Sequence, residues 1–299
     1  MSDHSRNLAE PSVRPRRSVL YMPGSNPRAL EKAKSLAADG LILDLEDAVA
    51  IDAKVAARDL VCAAVKEGGY GAREVIIRVN GLDSPWGEAD IKAACAAGPD
   101  AILLPKVESA VLVRQVEQMM QEFDAPAHTK IWCMMETPRG MLRAEEIAGA
   151  SDRLTCFVMG TSDLVKDLHA HHTLMRLPVV TSLGLCLLAA RAEGLDILDG
   201  VYLDLDDAEG HRASCQQGLE FGFDGKTIIH PKQLADANET FAPSAAELEY
   251  AVKIIAAYQA AEKQGKGVVV VDGKLIENLH VENAKRLVSL ADAIAALAE

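Results

Sequence analysis

No apolar stretch in this chain approaches the roughly 18 residues that a membrane-spanning helix requires. The N-terminal Met1–Arg17 is polar and broken by proline, and the apolar run after Arg16-Arg17 stops at Pro23. A twin-arginine export signal is therefore not expected, and residues 1–14 read as a disordered tail. Cysteine pairs are missing too. Cys62, Cys95, Cys133, Cys156, Cys186 and Cys215 are scattered, with no C-x-x-C, mostly inside apolar runs. That pattern fits reduced, buried thiols in a cytoplasmic protein rather than a disulfide framework or a zinc site. Excess positive charge is also absent: the net charge is −13. Nucleic-acid binding, which needs a basic stripe to displace counterions, is excluded as a leading function, and an anionic ligand needs local cations.

With 299 residues, 49% of them hydrophobic and 25% charged, the chain can bury a full core. Short apolar or β-branched runs recur at Ser18–Met22, Leu41–Leu45, Glu74–Val79, Ala101–Leu104, Lys130–Met135, Leu154–Met159, Gly200–Leu203 and Lys226–Ile229. Segments with helical spacing separate them: Arg28–Ala38, Ala53–Lys66, Glu88–Ala97, Ser109–Gln121, Gly140–Ala148, Val180–Glu193 and Ala208–Phe221. Eight βα units predict a parallel (β/α)₈ barrel, a TIM barrel, over residues 15–242, with an open doubly wound sheet as the alternative. Neither G-x-G-x-x-G after a strand nor G-x-x-x-x-G-K-[ST] occurs. Residues 243–299 exceed what eight units need. They predict a helix at Glu247–Lys263, a hairpin from Val268–Val271 through Asp272-Gly273, and a final helix at Val281–Ala298.

A barrel's active site lies at the C-terminal ends of its strands. The eight runs lead to Tyr21, to Asp44 with Glu46 and Asp47, to Arg78 and Asn80, to Lys106, Glu136, Asp163, Asp204 and His230. Charged groups there are costly unless paired or bound to metal. Glu136 and Asp163 are candidate Mg²⁺ ligands, because that ion prefers one or two carboxylates with water and substrate completing its shell. Either could instead cap a helix, Asp163 after Thr161-Ser162 and Glu136 before Thr137-Pro138. Arg78, inside an apolar strand, suits two-pronged contact with a carboxylate or enolate, or else a structural ion pair with Asp44 or Glu46. Asp44 and Glu46 share a face if their strand continues that far, and one of them would orient Arg78 or a metal-bound water; Asp47 reads as a cap for the next helix. His169, His171 and His172 in D-L-H-A-H-H could suggest zinc, but without an evident supporting carboxylate they read as a solvated lid loop.

Eight motifs in order carry a resemblance from about Arg17 to the C-terminus. They are R-S-V-L-Y-M-P-G-S-N-P-R-A-L-E-K-A, L-D-L-E-D-A-V, I-R-V-N-G-L-D, L-L-P-K-V-E, M-E-T-P-R-G, G-T-S-D-L, G-K-T-I-I-H-P-K-Q and G-K-L-I-E-N. The chain resembles the citrate lyase β-subunit-like family of coenzyme A ester lyases, which includes malyl-CoA and citramalyl-CoA lyases, within the wider HpcH/HpaI aldolase group. The resemblance implies a trimer-forming barrel, or a hexamer made of two trimers, with Mg²⁺ or Mn²⁺ on Glu136 and Asp163. It implies substrate contact by Arg78 and coenzyme A contacts from Tyr21, Lys32 and Ile229-His230-Pro231. It further implies a C-terminal arm that reaches a neighbouring subunit and delivers Glu277 to its site. Many relatives carry aspartate there, followed two residues later by proline, where this chain has Glu277-Asn278-Leu279. Asn26 in place of arginine and a shorter loop after Asp163 point away from a typical malyl-CoA lyase.

The expected reaction is retro-Claisen cleavage of a short 3-hydroxyacyl-CoA to acetyl-CoA and a 2-keto acid. In it Arg78 holds developing negative charge, Glu277 shuttles a proton, and the metal acts as Lewis acid. Two rivals stand beside it: thioester hydrolysis on the same scaffold, and a β subunit of a citrate lyase complex working on an acyl-carrier-protein thioester.

Overall fold

The computed structural model describes residues 13–297; the expected tail, apart from Val13 and Arg14, lies outside the described residues, as do Ala298 and Glu299. Eight strands close into a barrel in sequence order. They are β1 (Ser18–Pro23), β2 (Gly40–Asp44), β3 (Glu74–Arg78), β4 (Ala101–Leu104), β5 (Lys130–Met135), β6 (Leu154–Met159), β7 (Asp196–Asp199) and β8 (Gly225–Ile228). All neighbours are parallel, and β8 returns to β1 through Val19 opposite Thr227. The expected TIM barrel is therefore the fold, and the open sheet is not.

Strand periodicity builds two cores. One set of alternate residues, Val19, Ile42, Ile76, Leu103, Trp132, Met134, Cys156, Val158 and Leu198, forms a cluster that fills the barrel interior. The other set, including Leu20, Leu41, Leu43, Ile77, Ile102, Cys133 and Phe157, packs outward against Val61, Ile91, Val113, Val116, Ile147 and Leu183 of the surrounding helices. Each fully buried side chain of this size contributes about 1.5–3 kcal/mol. All six cysteines are free and buried.

Charge closes the lower end of the barrel. Arg16 donates from Nε and Nη2 to Glu74 at 2.7 and 2.8 Å, pairs with Asp196, and stacks over Trp132 at 5.1 Å. Burial opposes its charge, yet Glu74 keeps its pKa raised.

Three sequence expectations need correction. The seventh strand is Asp196–Asp199, not Gly200–Leu203. Its only apolar residues, Ile197 and Leu198, sit between two aspartates, and Asp199 is tolerated there because Lys226 Nζ (2.9 Å) and Arg176 Nη1 (2.6 Å) neutralise it. Asp47 caps no helix. The helix that follows is Lys54–Glu67, preceded by Ala53 without a side-chain cap, and Asp47 lies 3.7 Å from Arg78 instead. The segment expected as one helix over 140–148 is two short ones, Pro138–Leu142 and Ala144–Ala148.

A separate compact unit begins at Ala242, while Arg16–Phe241 form the barrel unit. In the former, Ser244 and Glu247 make a capping box for the helix Ala245–Glu262. Val269–Val271 and Lys274–Ile276 pair antiparallel through Asp272-Gly273, both at positive φ (48° and 77°), as a two-residue hairpin requires. Ala251 and Ile254 of that helix and Val271 and Ile276 of the hairpin pack together with Val281 and Ala284 of the final helix, Asn278–Leu297. No helix among the described residues is long and apolar enough to cross a membrane.

Candidate active site

The interior residues of the strands set the directions of the next inward positions. Two residues beyond Val19, Ile42, Ile76, Met134 and Val158 come Tyr21, Asp44, Arg78, Glu136 and Gly160, which therefore share the upper mouth of the barrel. Register agrees: Asp44 is opposite both Pro23 and Arg78, and Met135 is opposite Met159.

Arg78 is the hub. Its Nε and Nη2 donate to Asp44 Oδ1 and Oδ2 at 2.7 and 2.6 Å, and Nη1 lies 2.8 Å from Glu46 Oε2. The guanidinium stacks over the Tyr21 ring at 5.0 Å, while the Tyr21 hydroxyl donates to Met134 Sδ at 3.3 Å. Of the two sequence readings of Arg78, the ion pair with Asp44 and Glu46 is the geometry present, and its two-pronged fork is closed on Asp44. A guanidinium has five N–H groups, so donors remain after these contacts. Asp44 also accepts the backbone N–H groups of Glu46 (2.9 Å) and Ala48 (3.1 Å), and both its oxygens are engaged. The Leu45-Glu46 backbone is clamped by Lys54, whose buried Nζ donates to both carbonyls at 2.9 and 2.6 Å. Asn80 donates to Leu45 O and Asp90 Oδ2, and Arg58 holds Asp90 in turn.

Glu136 is 2% exposed. Its Oε1 accepts the backbone N–H of Lys106 at 2.8 Å, and burial pushes its carboxyl pKa up to about 7. A Cβ at position 160 would come within 2.5 Å of Glu136 Oε2, so glycine there makes room for that oxygen. Asp163 lies three residues beyond Gly160 in the first turn of helix Thr161–Asp167; its side chain is 24% exposed and pairs with Lys166 at 2.8 Å. The cap of that helix is Gly160, without a side-chain bond, and Thr137 caps the helix after β5. Neither carboxylate is thus engaged as an N-cap. A buried carboxylate satisfied by one amide, with a glycine making room for its other oxygen and a second carboxylate in the helix turn that follows the adjacent strand, is a donor set that fits a hard divalent cation.

Lys106 is the residue sequence reasoning underrated. It ends the fourth run there but receives no role. In the structure its Nζ donates to Glu46 Oε1 at 2.6 Å while its N–H holds Glu136. Burial works against its charge, but Glu46 raises its pKa; the Glu46 carboxyl itself is raised by burial against Arg78 and Lys106. The Pro-Lys pair directly after an apolar run was the available signal.

The residues expected at coenzyme A come from neighbouring parts of the barrel unit. Tyr21 lies in the C-terminal half of β1, Lys32 is exposed on the following helix Pro27–Ala33, and Ile229-His230-Pro231 follow β8. His230 Nδ1 accepts from Lys232 N–H, and Ile229 N–H donates to Gln233. Glu277 belongs to the other unit; it is exposed, and its N–H donates to His280 Nδ1 at 3.0 Å. His171 and His172 line a cleft of about 350 Å³ with Thr161, Arg176, Tyr202 and Asp204. With His169, they form no cluster of three or more metal-ligating groups among the described residues.

Eight parallel strands with a charged constellation at their C-terminal ends define a TIM-barrel enzyme, and the chain belongs to the HpcH/HpaI aldolase/citrate lyase family, whose model matches residues 17–231. The resemblance carried by the eight motifs is thereby borne out. The chain is 54% identical over 282 residues to a (3S)-malyl-CoA thioesterase of Cereibacter sphaeroides, covering 94% of this chain and 96% of that one. It is 36% identical to a citrate lyase subunit beta of Leuconostoc mesenteroides, covering 93% and 94%. Among solved structures it is similar to the protein CitE of Mycobacterium tuberculosis in complex with magnesium, acetoacetate and coenzyme A. There the TM-score is 0.74 and the identity 27%, over 92% of this chain and 97% of that one.

Proposed function

We propose that this protein is a Mg²⁺-dependent thioesterase acting on a short 3-hydroxyacyl-CoA of the malyl-CoA type. The observation that carries the reading is the 54% identity, over nearly the full length of both chains, to a (3S)-malyl-CoA thioesterase. Glu136 and Asp163 hold the metal, with Mn²⁺ as a substitute. When bound, the ion supplies Lewis-acid polarisation of a substrate oxygen.

The chain's own residues do the rest. Arg78 offers its remaining N–H groups to the oxygen on which negative charge develops. Asp44 and Glu46 are positioning residues that fix the plane of the guanidinium, and Tyr21 supports it from below. Tyr21, Lys32 and Ile229-His230-Pro231 contact the coenzyme. Residues 243–299 act as an arm over a neighbouring subunit in a trimer or hexamer, where Glu277 moves the proton. Val270 (65% exposed), Leu275 (54%) and Leu279 (60%) support this, because they give the arm an apolar face that water does not favour.

A second reading is carbon–carbon cleavage to acetyl-CoA and a 2-keto acid. The same two carboxylates and Arg78 suit it, and the solved CitE complex with magnesium, acetoacetate and coenzyme A favours it. Mass-spectrometric product analysis with (3S)-malyl-, citramalyl- and citryl-CoA plus Mg²⁺ separates the two. Malate and free coenzyme A from malyl-CoA support the thioesterase; glyoxylate and acetyl-CoA would replace it with the lyase. Co-purification with a carrier protein would point instead to a citrate lyase subunit.

A further inference from the structure

We propose that Lys106 is a two-ended positioning residue that sets the metal-binding half and the guanidinium half of the site at once. The inference rests on the reading of Glu136 as a metal ligand. Lys106 has φ +48°, a left-handed backbone that a residue with a Cβ rarely adopts and that concentrates at functional sites. The consequence is visible at both ends of the residue. Its main-chain N–H reaches Glu136 Oε1 at 2.8 Å, fixing one carboxylate oxygen and leaving Oε2 toward Gly160. Its side chain leaves in another direction and donates from Nζ to Glu46 Oε1 at 2.6 Å, while the other oxygen of Glu46 lies 2.8 Å from Arg78 Nη1.

The surrounding backbone holds this conformation. Val107, the next residue, is fully buried, and its N–H donates to Met134 O at 3.3 Å. A Cβ on Gly140 would come within 2.4 Å of Val107 O, so the helix after β5 presses directly on this loop. The loop after β4 is therefore pinned to the β5 end that carries Glu136. A chain of contacts runs from the Glu136 carboxylate through a single residue to Glu46 and Arg78. Outer partners that orient a ligating group are the ones whose loss weakens metal affinity without removing a ligand.

The two ends separate by substitution. Lys106→Gly keeps the left-handed backbone and the N–H but removes the ammonium. Lys106→Val keeps an N–H but carries a β-branched side chain that disfavours positive φ. Mn²⁺ binding, followed by electron paramagnetic resonance on the full-length protein, reads the first end. Lys106→Val should weaken Mn²⁺ binding about 10–100-fold. Lys106→Gly should bind Mn²⁺ at least as tightly as the unaltered chain, because a nearby cation has been removed. If Lys106→Val does not fold, Lys106→Ala takes its place with the same expected direction.

Turnover of (3S)-malyl-CoA reads the second end. Lys106→Gly should lower kcat at saturating Mn²⁺, and Lys106→Arg should recover most of the loss by restoring the pair with Glu46. Equal Mn²⁺ affinity in the valine and glycine variants, or full turnover in the glycine variant, would overturn the proposal while leaving the metal site standing. No Mn²⁺ binding by the unaltered chain, or binding unaffected by Glu136→Gln, would overturn the metal reading and this inference with it.

Discussion

The two ends of the barrel are built from the same parts and differ in one. Below, Arg16 grips Glu74 with two prongs and stacks on Trp132; above, Arg78 grips Asp44 with two prongs and stacks on Tyr21. The lower cluster is closed by a second acid, Asp196, on the same arginine. In the upper one the second acid, Glu46, is shared with Lys106, and a third carboxylate, Glu136, receives only an amide. A buried arginine–carboxylate pair is thus no sign of function by itself. What distinguishes the upper end is a carboxylate whose pKa burial pushes up to about 7, with Glu46 adding to the rise and the nearby Arg78 and Lys106 offsetting only part of it.

The largest effect expected from breaking this contrast lies at that carboxylate. Glu136→Ala and Asp163→Ala should each lower turnover by about 10³-fold or more while the melting temperature stays near that of the unaltered chain. Excess EDTA should have the same effect as the mutations, reversed by added Mg²⁺. Activity unimpaired in EDTA and in either variant would remove the metal from the mechanism.

Arg78→Lys comes next. It keeps the charge but cannot make the fork to Asp44 and the contact with Glu46 together, and kcat should fall by about 10²-fold. A normal rate with a markedly lower melting temperature would make Arg78 a second Arg16. The converse test is Arg16→Leu, which breaks the buried two-pronged contact with Glu74 and should lower stability by about 3–5 kcal/mol in urea unfolding. Turnover per folded molecule should be unchanged; a loss of rate as large as that of Arg78→Lys would erase the distinction between the two ends.

The smallest effect concerns a third buried cluster, on the outer wall. Burial would raise the Asp199 carboxyl, but Lys226 and Arg176 hold it below its ordinary value. A depressed carboxylate contributes stability above its unfolded pKa, near 3.8, and that contribution disappears as pH falls through the lower folded value. Melting temperatures measured between pH 5 and pH 2.5 should therefore drop more steeply in the unaltered chain than in an Asp199→Asn, Lys226→Met double variant. Parallel curves would show that the cluster does not govern acid stability.

The strand-end rule and residue period made much of the site legible in advance, since Tyr21, Asp44, Arg78, Glu136 and Asp163 all follow apolar runs at the positions expected. β4, β5 and β6 match their expected bounds to the residue. β7 was hidden because its core-forming pair is flanked by aspartates, whereas the apolar Val201 and Leu203 beyond it lie in a loop, with Leu203 exposed. Hydropathy ranks single residues, and Asp199 becomes acceptable in a wall only through cations 23 and 27 positions away in sequence.

The sequence by itself determined the barrel, its family and the list of charged groups at its mouth, because periodicity and strand ends are local properties of the chain. Tertiary structure alone decided which of those groups touch. That the Arg78 fork is closed on Asp44, that Lys106 turns left-handed to present its N–H, and that Glu136 Oε2 lies against Gly160 all depend on strand register and backbone direction. Those are set by packing across the whole barrel, and no local pattern encodes them.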